Sequence, residues 1–217
     1  VPIVRASEEM GLAPVIRCDS SKDMLSHFLG SKEYNMIIAV SFGKLIPGKL
    51  ISQMSHSLNV HPSLLPKYKG SSPIQYALLN NDKVTGVSIQ TLHPSKFDHG
   101  EIVAQSSPME IRQLLMKGTV SQFEENTPHK VSVMMDQLGL IGAELLTKVI
   151  KERLYTSQIK KSPYEESYAP KITTEMRRIH WQHDKGEDIV NRLEVLGPVF
   201  TFKETIPKKK KDKQLKR

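Results

Sequence analysis

Cysteine occurs once in the 217 residues, at Cys18, so no internal disulfide can staple this chain. A single thiol fits a reducing compartment. Long apolar runs are also missing. The longest, Met36-Ile37-Ile38-Ala39-Val40, suits one buried strand and falls far short of the roughly 18 residues that span a bilayer. There is no signal-peptide pattern and no initiating Met; the chain starts Val1-Pro2-Ile3, as if joined midway. The composition is neither disordered nor collagen-like, with 38% hydrophobic and 25% charged residues. What remains is a globular chain long enough for one domain plus an appendage.

Net charge is scarce over most of the chain and concentrated at its end. The total is +8, but Lys203 to Arg217 carry 8 Lys/Arg against 2 Asp/Glu, a net of +6, which leaves +2 on residues 1–202. Lys208-Lys209-Lys210-Lys211 reads first as a solvated tail, because like charges repel and nothing nearby is apolar enough to pack. The same run suits RNA phosphates. The tail alone does not decide between them.

The first 110 residues alternate between strand and helix periods. Pro14-Val15-Ile16-Arg17 reads as a short strand. Ser20 or Ser21 caps a helix through Asp23, Met24, Leu25 and Phe28 that closes at Gly30. Met36 to Val40 reads as a buried strand, since every position is apolar. Lys44 to Met54 reads as a helix with Leu45, Leu50, Ile51 and Met54 on one face. Ser57 to Val60 is another strand. Ser72-Pro73 opens a helix through Ile74, Ala77, Leu78 and Leu79, with Pro in its first turn. Val87 to Leu92 alternates as a strand, with Ile102-Val103-Ala104 as its neighbour. This alternation predicts an α/β fold, doubly wound around a mostly parallel sheet, with ligands at the carboxyl ends of its strands.

Residues 105–128 are polar and poorly periodic and read as a linker or excursion. His129 to Leu154 carries the longest helical stripe, Val131, Met134, Met135, Leu138, Ile141, Leu145, Val149 and Ile150, and reads as a core-packing helix. Residues 155–180 read as extended loops. Asp188 to Leu196 reads as a short helix stopped by Gly197-Pro198. The chain divides into an α/β unit at 1–154, an extension and linker at 155–202, and a basic tail at 203–217.

The densest polar information follows the strand Leu58-Asn59-Val60. Asn59 and His61 are two apart, so on a strand they share one face. Two polar side chains on a strand built for burial are costly unless satisfied, and a cleft at the strand's carboxyl end removes that cost. Pro62 ends the ladder because it has no N–H. A second turn, Phe97-Asp98-His99-Gly100, follows the strand ending at Leu92. If the two strands are neighbours, Asp98 approaches His61. An Asn donor and a protonated imidazole can stabilise an oxyanion, while a carboxylate raises the imidazole pKa and takes a proton from an attacking amine. That is acyl-type transfer without a Ser or Cys nucleophile. An isolated Asn-x-His is more often structural. His56, His93 and His99 match no zinc spacing, so no metal is expected. Ser41-Phe42-Gly43 lacks the second glycine and the Lys-Ser/Thr of a phosphate loop.

Several ordered motifs resolve the matter by resemblance. Asn59-Val60-His61-Pro62-Ser63-Leu64-Leu65-Pro66, Lys69-Gly70-Ser71-Ser72-Pro73-Ile74-Gln75, Thr85-Gly86-Val87-Ser88-Ile89-Gln90 and Asp98-His99-Gly100 together resemble the folate-dependent formyltransferase family. Val40 to Pro47 is similar to its folate-side loop. Ser167-Tyr168-Ala169-Pro170-Lys171-Ile172, with Ile179-His180-Trp181, narrows the resemblance to members that formylate methionyl initiator tRNA, most similar to the fungal mitochondrial branch. The match covers roughly residues 1–200.

The resemblance implies 10-formyltetrahydrofolate as co-substrate and initiator methionyl-tRNA as partner, in the mitochondrial matrix, with no membrane, the complete enzyme being a monomer. It implies catalytic roles for Asn59, His61 and Asp98. It assigns the folate side to Ser41, Phe42, Gly43, Leu45, Pro47, Ser63, Leu64, Leu65 and Pro66. It leaves Lys67, Lys69, Lys208, Lys209, Lys210 and Lys211 to face tRNA phosphates. Lys69 stands where the family commonly has Arg, keeping the charge without the planar fork. The resemblance also implies a first βα unit before Val1 and a tRNA-gripping β-barrel after Arg217, so residues 1–217 alone are expected to be inactive. A glycinamide ribonucleotide formyltransferase has a similar Asn-x-His stretch but would lack Tyr168-Ala169-Pro170-Lys171. A non-catalytic RNA-binding module predicts aromatic platforms among basic residues, and the tail from Lys203 has none.

Overall fold

The computed structural model describes residues 2–12, 15–119, 126–157 and 161–202. Pro14 and the lysine run at 208–211 lie outside these residues. Two short helices, α1 (Pro2–Glu9) and α2 (Ser21–Phe28), precede strand β1 (Met36–Val40). Helix α3 (Gly48–Gln53) leads to β2 (His56–His61), and α4 (Pro73–Leu79) to β3 (Val84–Thr85) and β4 (Ser88–Thr91). Then come β5 (Ile102–Gln105), β6 (Met109–Glu110), α5 (Ile111–Met116), the long α6 (His129–Lys151) and α7 (Gly186–Leu196).

The main sheet runs β1-β2-β4-β5, and β3 pairs with β6 apart from it. The α/β class expected from the sequence holds, as a mixed sheet. Within this sheet, among the described residues, β1 and β2 pair in parallel, while β2 with β4 and β4 with β5 are antiparallel. A ten-residue connection lets the chain turn back from β4 to β5 as a hairpin, whereas parallel pairing needs a crossover. Helix α6 covers one face, where Leu58, Ile89, Ala104 and Val149 form a core. The other face packs Ala39 against Met24, Ile46, Leu50 and Met54 from α2, α3 and the loop before α3. Gly142 of α6 meets β2 so closely that an added Cβ would lie 3.0 Å from a Val60 methyl.

Several expectations are corrected. Val15–Arg17 form no strand, and Val15 and Ile16 are exposed. Strand β1 forms but is not buried on both faces: among the described residues it is an edge strand, and Ile38 and Val40 are 41% and 51% exposed. Helix α3 starts at Gly48, not Lys44, because Pro47 disfavours helical backbone in the residue before it. Within 105–128 the described residues include β6 and α5, with Ile111 and Leu114 buried. The stripe of α6 is rotated from the expected one: Val133 is buried while Met135 and Ile150 are exposed. By contrast, α2 has the predicted cap. The Ser20 hydroxyl accepts from the Asp23 N–H, and the Asp23 carboxylate accepts from the Ser20 N–H.

Leu58 is fully buried and Met135 is not. Leu58→Ala should therefore destabilise the fold by about 2–5 kcal/mol, the usual range for a buried Leu. Met135→Ala should stay within about 0.5 kcal/mol. Urea denaturation compares them, and equal losses would contradict the packing described.

Candidate active site

Strand β2 delivers Asn59 and His61 to the same face at its carboxyl end. Strand β4 runs beside it, with Asn59 opposite Gln90 and His61 opposite Ser88. The loop after β4 returns Asp98 above them. Asp98 sits in the left-handed region at φ 54°, which Asp tolerates better than most residues. Gly100 closes the loop, since a Cβ there would lie 1.7 Å from the Thr91 carbonyl oxygen. The sequence expectation that Asp98 approaches His61 is met: His61 Nδ1 lies 3.3 Å from Asp98 Oδ1.

Asp98 is the hub. Its Oδ1 accepts from Asn59 Nδ2 at 3.2 Å and from Gln90 Nε2 at 2.7 Å. Its Oδ2 accepts from the Gly70 N–H at 2.8 Å. The side chains of His61 and Asp98 are only 5% and 8% exposed, so these contacts act away from bulk water. His61 Nε2 lies 2.9 Å from the Tyr68 carbonyl oxygen, which assigns a hydrogen to that nitrogen. Nδ1 then faces the Asp98 carboxylate. Burial pushes the His61 imidazole below its ordinary value; the Asp98 carboxylate and the Tyr68 carbonyl pull upward but do not prevail. The expected upward pull of Asp98 is present, and desolvation outweighs it.

A segment distant in sequence braces the site. Lys69 N–H donates to the Ser167 carbonyl at 2.8 Å and Ala169 N–H to the Lys69 carbonyl at 2.7 Å. The Ser167 hydroxyl accepts from the Tyr68 N–H at 2.9 Å. Gly70 packs so tightly here that an added Cβ would lie 2.7 Å from the Ala169 oxygen. This strap fixes the two backbone groups that touch the site, the Tyr68 carbonyl and the Gly70 N–H.

Beside the hub opens a cleft of about 530 Å³ lined by Ser41, Phe42, Gly43, Asn59, His61, Pro62, Gly70, Phe97 and Asp98, among others. The expected folate-side residues divide. Ser41, Phe42 and Gly43 line the cleft. Leu45 lines an adjoining 40 Å³ cavity with Gln90 and Leu92, which shares Phe42, Asn59, Phe97 and Asp98 with the cleft. Pro47 caps α3. Ser63, Leu64 and Leu65 are buried and do not line the cleft. They anchor the loop instead: the Ser63 hydroxyl donates to the Lys67 carbonyl, the Ser63 carbonyl accepts from the Ser88 hydroxyl, and the Leu65 N–H donates to Ser88 Oγ. The Pro66 carbonyl accepts from the Ser167 N–H.

Lys67 and Lys69 are not free cations. Lys67 pairs with Asp82 at 2.6 Å and Lys69 with Glu166 at 2.8 Å. Burial alone would lower the Lys67 ammonium, but its hydrogen bond to Asp82 holds it above the ordinary value. Gln90, Ser88, Gln105 and Ser167 were absent from the sequence assignment. In an alternating strand, polar residues such as Ser88 and Gln90 read as the solvent side, and here that side is covered. Among the described residues, no group of three or more His, Cys, Asp or Glu is placed to hold a metal ion.

Comparison with known proteins bears on this geometry directly. The family model described as formyl transferase matches residues 13–134, more than half of the chain. The chain belongs to the formyl transferase family. The mitochondrial methionyl-tRNA formyltransferase of Saccharomyces cerevisiae is 46% identical over 230 residues, covering 96% of this chain and 57% of the yeast protein. The chain thus spans little more than half the length of that relative. Among solved structures, a methionyl-tRNA formyltransferase from Clostridium thermocellum superposes with a TM-score of 0.61 at 14% identity, covering 92% of this chain and 81% of that one. HypX from Aquifex aeolicus, in complex with tetrahydrofolic acid, superposes at a TM-score of 0.55 and 18% identity, over 74% of this chain and 25% of that one. These two likenesses establish the formyl transferase fold.

The lowered pKa of His61 gives a signed pH dependence. Below the ordinary value of 6.5 the unfolded chain takes up a proton that the buried ring resists, so stability present above that pH is lost as pH falls through it. Thermal melts of the native protein should lose Tm between about pH 7 and pH 5. His61→Gln should flatten that slope. An equally steep slope in the variant would contradict the assignment.

Proposed function

We propose that this chain is the catalytic part of an enzyme that moves the formyl group of 10-formyltetrahydrofolate to the α-amino group of methionyl initiator tRNA. The observation that carries the reading is the convergence of Asn59, His61 and Asp98 at one wall of an open cleft. The amine attacks the formyl carbon, a carbon–nitrogen bond forms, and the bond from that carbon to the folate nitrogen breaks. The proton lost by the amine passes to the departing nitrogen. One hydrogen of the Asn59 amide is engaged by Asp98; the other is free to donate to the oxyanion. His61 is tied to Tyr68 through Nε2 and faces Asp98 through Nδ1, so it acts by orienting that carboxylate. Asp98 accepts the amine proton.

Phe42, Pro62 and Phe97 beside backbone amides suit a flat heterocycle with polar edges, the chemistry of a pterin. The Ser167–Ala169 strap built into the site favours an aminoacyl-tRNA acceptor over a glycinamide ribonucleotide one. The name of the yeast relative supports a mitochondrial setting, and we take the matrix as its place of action. Because Lys67 and Lys69 are paired, tRNA phosphates fall to the tail, Lys208 to Lys211.

Asp98→Asn in the full-length protein should lower kcat for Met-tRNA formylation by about 10²–10³, the scale of one lost electrostatic group, with little change in KM. Single-turnover formylation measures it, and a near-native rate would sink the mechanism. Neutralising Lys208 to Lys211 should reduce the salt slope of tRNA binding and spare formylation of a minimal aminoacyl substrate. An unchanged slope would return the tail to a solvated linker.

A further inference from the structure

Gln90 ends the Thr85–Gln90 motif, yet the resemblance assigns it no role in the site. It is 1% exposed on β4, with its Nε2 donating to Asp98 Oδ1. Its Oε1 is buried and has no hydrogen-bond partner. An unpaired buried acceptor is destabilising, and a residue placed there only to pack would be apolar. The β4–β5 ladder is also irregular at this point: Ile89 pairs with Ala104 and Gln90 with Ile102, leaving Val103 as the extra residue. Such bulges re-aim side chains beside functional sites.

The loop that carries Asp98 needs such a strut. Phe97 is exposed and Asp98 has left-handed backbone, so the loop's own conformation does not pin the carboxylate. Gly70 holds Oδ2 from one side. Gln90 holds Oδ1 from the floor of the sheet, directly beside Asn59, its partner across the ladder.

We propose that Gln90 is a positioning residue for formyl transfer: its amide N–H fixes Asp98 in the orientation that reaches Asn59 and His61 together. The inference rests on the formyl-transfer reading above and deepens it. Gln90 acts through Asp98 and makes no contact with substrate. The titratable groups around the carboxylate are His61 from β2, the Lys69–Glu166 pair beyond Gly70, His93, Lys96 and His99 from its own loop, and Lys44 across the small cavity.

Two variants of the full-length protein test this. Gln90→Met keeps length and burial but loses the donor. It should lower kcat by about 10²-fold, the scale of a slight misplacement at a reacting centre, with KM and Tm near native. Gln90→Glu keeps the shape and replaces the donor by a carboxylate facing Asp98. At pH values where that new carboxyl is ionised, which burial beside Asp98 moves upward, it should be at least as impaired as Gln90→Met. As pH falls its carboxyl takes up a proton and donates to Asp98 in place of the amide, so the ratio of its kcat to native should rise. A merely structural role would leave that ratio flat, and a flat ratio overturns the proposal. So does a native kcat in Gln90→Met, or a loss of kcat that tracks a loss of Tm. An NMR titration of the His61 ring needs no substrate. Gln90→Met should shift its apparent pKa upward, because Asp98 has lost a competing donor, and an unmoved curve counts against the proposal. If the native protein formylates a different amine, the tRNA reading falls, and Gln90 is judged by the same kcat ratios on that amine and by the titration.

Discussion

Asp98 accepts hydrogen bonds from Asn59, Gln90 and Gly70 and faces the His61 ring, and the rest of the site follows from that carboxylate. The donors come from β2, from β4 and from the loop before α4. One side chain therefore joins segments that neither ladder nor sequence proximity would hold together. Leaving a buried acceptor of this kind without one of its donors typically costs about 1–3 kcal/mol, and more when the acceptor is charged. The same contacts that orient these side chains thus lock the loops that carry them.

Behind that first ring stands a layer of neutral polar groups on the sheet face away from α6. Ser88 bonds the Ser63 carbonyl and the Leu65 N–H, and Gln105 Nε2 reaches both the Leu65 carbonyl and Ser88 Oγ. The loop after β2 has no regular ladder of its own, so its backbone groups are satisfied by side chains from β4 and β5. From the outside, the strap at Ser167–Ala169 supplies the remaining partners, and its buried Ala169 belongs to the same apolar core as Ile74 and Met134. Site geometry and core packing are coupled through this strap.

Much of this was legible in the sequence for identifiable reasons. The capped helix at Ser20, the strand ending in Asn59-Val60-His61 and the Pro73 helix start each have a local physical cause: a side-chain cap, period-two alternation, a ring that fixes φ. Asn59 and His61 sharing a face follows from strand geometry alone. Errors arose where tertiary context overrode a local signal. Apolar Met36–Val40 suggested burial on both faces, yet among the described residues it occupies an edge. The α6 stripe was assigned Met135 in place of Val133, because three adjacent apolar residues leave the helix phase to the surfaces it meets.

What the sequence determined by itself was the set of local elements, the strand that carries Asn59 and His61, the turn that carries Asp98, and the family to which such motifs belong. Tertiary structure decided strand direction, since pairing depends on which edges meet and not on composition. It decided that Lys67 and Lys69 are neutralised by Asp82 and Glu166, the latter 97 residues away from Lys69. It also decided that Gln90 serves Asp98 and not solvent. A polar residue on an alternating strand reads as exposed until something covers that face, and here the cover is the loop that carries Asp98.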